Sequence, residues 1–66
     1  MDTPKTGEIW VHKNGIEYMI LMVTNTQARL ENADKYPVTI VYATIGHTHA
    51  IWSRPLHQWH SSFTKK

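Results

Sequence analysis

The dipeptide Asn14-Gly15 lies between two stretches of strand-forming residues, and this constrains the fold more than any other feature of the chain. Asn-Gly in that setting predicts a tight type I′ hairpin, whose two central residues both need positive φ. Before it, Gly7 to Lys13 alternates with a period of two. After it, Ile16 to Thr24 reads as a second strand, with Ile16, Tyr18, Ile20 and Met22 on one face and Glu17, Met19, Leu21 and Val23 on the other. Apolar residues on both faces predict a central or strongly curved strand. Such a strand belongs where a small sheet closes on itself and the halves of a bent strand serve different partners.

Asn25 to Tyr36 is polar and forms the longest loop, with room for a helical turn near Gln27 to Asn32. Pro37 opens a third strand, Val38 to Ile45, rich in β-branched residues. Gly46-His47-Thr48-His49 turns the chain into a fourth, Ala50 to Arg54. Pro55 suits the first position of a short helix or 3₁₀ turn. Beyond it Leu56, Trp59 and Phe63 recur at spacings of three and four, giving one apolar edge that can plug the sheet. The predicted fold is all-β: a small SH3-like barrel or a twisted four- to five-stranded antiparallel meander with a short C-terminal helical turn. An α+β fold is the lesser option, if the long loop carries a true helix. Residues 1–6 and 64–66 are expected to be flexible.

A chain of 66 residues forms one domain. At that size only about 60% of the unfolded surface is buried, so stability is marginal and oligomerisation would add to it. The absence of cysteine removes disulfides, thiolate catalysis and cysteine-based zinc sites. The amino terminus lacks the apolar core of a signal peptide, and the longest apolar run, Met19 to Val23, is too short to span a bilayer. A soluble cytoplasmic protein is expected. The formal charge of +2 is spread along the chain, so no basic stripe marks a duplex-binding face.

No nucleophile stands beside an evident base, no glycine loop is built to cradle phosphate, and no carboxylate pair has a telling spacing. The chain reads as a binding protein rather than an enzyme, with no cofactor. Among the five histidines, His47 and His49 share one side of an extended segment, and His57 and His60 share a helical face. The acids have no reason to converge with them, so surface histidine is preferred to a metal site. The better candidate is aromatic. Trp52 and Arg54 point the same way on the fourth strand, and Trp10 and His12 share a face of the first, opposite Ile9 and Val11. If those strands approach, the two indoles and the guanidinium would stack a base-like ring and grip a phosphate. Tyr36, beside Pro37 in the long loop, and His47 in the turn would complete the ligand-binding surface. The competing reading places both indoles in the core, because so small a domain needs their area.

The spacing Gly7-x-x-Trp10-x-His12-x-x-Gly15-x-x-Tyr18, then Val41-Tyr42, then Trp52-x-Arg54-Pro55-Leu56-x-x-Trp59 with Phe63 beyond, resembles a family of small bacterial and phage domains of unknown function. The resemblance spans about Gly7 to Phe63. This chain carries tryptophan at Trp10 and Trp59 where that family usually has tyrosine and phenylalanine, and its turn carries His47 and His49.

Two functions compete, with a third behind them. The first is a binder that sequesters a nucleotide-type ligand, enclosed at the interface of a homo-oligomer. The resemblance would make it a phage protein countering host defence. The second is a protein-interaction or inhibitor module that docks on a host protein through an exposed sheet edge or the Trp59 face. The third, single-stranded nucleic acid binding, has aromatics in its favour and lacks a basic track.

Overall fold

A computed structural model describes residues 3–46 and 50–66. It shows an all-β domain of five antiparallel strands in one sheet: β1 (Ile9–His12), β2 (Glu17–Thr24), β3 (Thr39–Thr44), β4 (Ile51–Pro55) and β5 (Phe63–Lys65), in the order β4-β3-β2-β1-β5. Two 3₁₀ turns, Leu30–Asn32 and Leu56–Gln58, are the only helical segments among the described residues. The first is the helical turn expected in the long loop, and the second is the one expected after Pro55. The sheet bends around its core as a small barrel does but stays open, with β4 and β5 at opposite ends of the order. Across the hollow of the bend, the Arg54 guanidinium of β4 sits 5.2 Å from the centre of the Phe63 ring of β5.

β2 is the central strand, as its two apolar faces require. It does not keep one parity along its length. The register passes from Ile20 opposite Tyr42 to Met22 opposite Val41, so Leu21 is the extra residue of a β-bulge. Beyond the bulge every side chain changes face. Val23 therefore packs against the core while Met22 is exposed, the reverse of simple alternation.

The hairpin between β1 and β2 also departs from expectation. The Gly15 N–H donates to the His12 carbonyl at 2.7 Å, and the His12 N–H donates to the Ile16 carbonyl at 2.9 Å. Lys13 and Asn14 are thus the central turn residues. Gly15, at φ 92°, closes a three-residue loop, and Asn14 is not among the positive-φ residues that type I′ would demand. The side chains favour this longer loop. The Asn14 N–H donates to His12 Nδ1 at 3.1 Å, and Asn14 Oδ1 accepts from the Ile16 N–H at 2.9 Å. An added Cβ at Gly15 would meet no neighbour, so its cost is conformational alone. Gly15→Ala is expected to lose about 1 to 2 kcal/mol in chemical denaturation.

The core lies on the concave face. Trp10, Ile20, Ile40, Tyr42, Trp59 and Phe63 are buried there, with Tyr18, Val23 and Leu56 packed against them. The second 3₁₀ turn delivers Trp59, whose ring stacks on Phe63 at 3.8 Å and meets Trp10 and Tyr42 edge-on. Pro55 ends β4 and caps that turn rather than opening it. The terminal residues form β5 against β1, where a frayed tail was expected, because Trp10 and His12 offer Lys65 and Phe63 paired positions.

Candidate functional site

Of the six residues expected to form one ligand surface, the five that the structure describes do not form one. Trp10 is 3% exposed and belongs to the core. Trp10 and Trp52 point to the same side of the sheet, but β2 and β3 separate their strands. Alternation within a strand tells which face a residue takes. It does not tell where in the sheet that strand lies, and β1 lies between β2 and β5, beneath Trp59, while β4 is an edge.

His12 is half-buried. Its Nδ1 accepts from the Asn14 backbone, and its ring meets Phe63 edge-on at 4.9 Å, so it serves the hairpin. Arg54 is half-buried over the Phe63 ring. His47 lies outside the described residues, as do Thr48 and His49 of the turn assigned to it. Tyr36 is exposed at the end of the long loop, where it lines a trough of about 540 Å³ with Leu30, Asp34, Pro37, Leu56 and His57. His57 and His60 line a neighbouring hollow with Thr3, Leu56 and Ser61. Among the described residues no three histidine, aspartate or glutamate side chains are grouped to hold a metal ion.

Trp52 stands apart. It is 53% exposed, whereas Trp10 and Trp59 are enclosed. Its indole N–H donates to Thr44 Oγ1 at 3.3 Å, which fixes the ring over the end of β3. Its strand is also open. The pairs linking Thr44 to Ala50 and Leu56 to Val38 set the ladder phase, so Trp52 and Arg54 turn their backbone groups toward β3. Ile51 and Ser53 turn theirs outward, and Pro55, lacking an N–H, ends the row. No described strand pairs with that side. The edge around Trp52 therefore offers main-chain donors and acceptors, a rigid indole on one face and the exposed Ile51 on the other.

At the other end of the sheet, the strongest electrostatic feature is structural. The Glu8 carboxylate accepts from Lys65 Nζ at 3.0 Å, the Lys5 N–H at 2.8 Å and the Trp10 Nε1–H at 3.0 Å. The Lys65 contact first, then the Lys5 and Trp10 hydrogen bonds, lower its pKa from 4.5 to about 2. A depressed carboxyl favours the folded state above its ordinary value, and that contribution fades as pH falls through the folded value. Glu8→Gln should therefore be less stable than the native chain at neutral pH, with the gap closing between pH 4.5 and about 2. Urea midpoints measured across that range check it.

No protein-family model, curated protein or solved structure matches the chain. None of the described helical segments is long and apolar enough to cross a membrane.

Proposed function

We propose that this domain is a non-enzymatic protein-interaction module that receives a partner along the open edge of β4, with Trp52 as its anchor. The exposure of Trp52 on a strand with one open edge carries this reading. A chain of this size gains stability from every indole it encloses, and this one is held at the surface by its hydrogen bond to Thr44. Strand addition supplies main-chain hydrogen bonds, and a buried tryptophan is among the commonest binding hot spots.

Sequestration of a nucleotide-type ligand is the competing reading, and it is less well supported. It relied on Trp10 and Trp52 enclosing one ring, with Arg54 on the phosphate. Trp10 is in the core, and the Arg54 guanidinium already lies over Phe63. Capture experiments from host cells, with native chain and Trp52→Ala side by side, separate the two. The interaction module requires a stoichiometric protein that the native chain retains and Trp52→Ala loses. Recovery of a phosphate-bearing small molecule without any protein would favour sequestration.

A further inference from the structure

Arg54 is a half-buried cation on the edge strand, and its guanidinium has no ion pair or hydrogen bond among the described residues. Glu8, Glu17 and Glu31 are taken by Lys65, Lys66 and Arg29, and Asp34 lines the trough beside Tyr36. On the concave face the register sets Arg54 against Ile40 and Trp52 against Tyr42, neither of which carries charge. The Phe63 ring attracts the guanidinium but offers no lone pair to its N–H donors. That ring is itself stacked on Trp59, so the platform beneath Arg54 is fixed.

We infer that the segment received by β4 is acidic: it carries an aspartate or glutamate opposite Arg54, next but one to an apolar side chain opposite Trp52. The inference rests on the reading of the β4 edge as the docking site and names what docks there. Ile51 and Ser53 turn their backbone groups outward, so in an antiparallel pair with a new strand Trp52 and Arg54 fall between the hydrogen bonds, where opposed side chains approach most closely. Alternation sends the residues opposite them to the same concave face. A docked strand therefore covers the Arg54 donors, and covering a cation without an acceptor is strongly unfavourable. A carboxylate meets the guanidinium with parallel hydrogen bonds, which an apolar or basic side chain does not. The outward N–H and C=O groups of Ile51 and Ser53 select a polypeptide over a nucleic acid or a free phosphate, because a strand answers a main-chain ladder. With Trp10 in the core, no second indole stands by to turn the guanidinium into a ring pocket.

Selection from a display library of random peptides, run on the native chain and on Arg54→Gln, Arg54→Glu and Trp52→Ala, tests the inference. The native chain should enrich sequences in which aspartate or glutamate stands next but one to an apolar or aromatic residue. Arg54→Gln should lose the acidic preference, and Arg54→Glu should replace it with lysine or arginine, both with native circular dichroism. For a synthetic peptide taken from the native selection, exchanging its acid for the amide should weaken binding to the native chain by more than about tenfold, a comparison that needs no variant chain. Against Arg54→Gln the same exchange should change affinity by less than about twofold. Peptides that bind the native chain, fail on Trp52→Ala and carry no acidic preference would overturn the inference and leave the β4 edge standing as the docking site. An acidic preference that Arg54→Gln retains also overturns it, since its source would be another cation. No enrichment by the native chain, or enrichment that Trp52→Ala leaves unchanged, removes the edge reading and this inference with it.

Discussion

Trp59→Ala should lose about 3 to 5 kcal/mol of stability, a third or more of what a chain of this length has. Trp59 has no exposed surface, stacks on Phe63, and meets Trp10 and Tyr42 edge-on, so it joins the C-terminal turn to three strands. Removing so large a side chain from a core costs about 3 to 5 kcal/mol. A domain of this length is expected to have a total stability of about 3 to 10 kcal/mol. The sheet has no second layer of its own to compensate. Trp59→Phe should be far milder. It keeps a ring against Phe63 and removes the Trp59 indole N–H, which is buried without a hydrogen-bond partner among the described residues. Urea denaturation followed by circular dichroism measures both. A cooperative Trp59→Ala transition within about 1 kcal/mol of the native chain would mean the core is organised differently.

Trp52→Ala should do the opposite: fold normally and lose its partner. Trp52 lies on an edge strand with most of its contacts in solvent, and such surface changes usually move stability by only about 0.5 kcal/mol. As the anchor of an interface it should cost at least about 2 kcal/mol, or roughly thirtyfold in affinity. Titration calorimetry against the captured partner, with a thermal melt of each protein, gives both numbers. The two tryptophans thus form a pair of controls, one weakening the fold and the other breaking only recognition.

The difference between them was hard to read from the chain. Strand content was legible because Ile9 to His12 and Thr39 to Thr44 carry strong local patterns, and the plug formed by Leu56, Trp59 and Phe63 follows from their spacing. The central place of β2 was also legible, from its apolar residues on both faces. Non-local geometry was not. The bulge at Leu21 reverses the faces of Met22 and Val23, and no local residue preference announces it. Asn14-Gly15 marked the hairpin correctly but not its length, because the Asn14 side chain bonds to Ile16 and shifts the turn by one residue. Trp10 and Trp52 carry the same alternation signal on the same side of the sheet. Only sheet order decides that β1 is covered by β5 and Trp59 while β4 is left at the rim. The candidate surface accordingly kept Trp52, lost Trp10 to the core, and gained Ile51 and the outward backbone of Ser53.

Hydrogen-exchange mass spectrometry, comparing the free chain with the complex recovered by capture from a cell lysate, tests the proposal most directly. Docking along β4 should slow exchange at the outward amides of Ile51 and Ser53 and leave the trough beside Tyr36 and His57 unchanged. Protection confined to that trough, or a native chain that recovers only a small phosphate-bearing molecule, would contradict the assignment of the β4 edge as the recognition site.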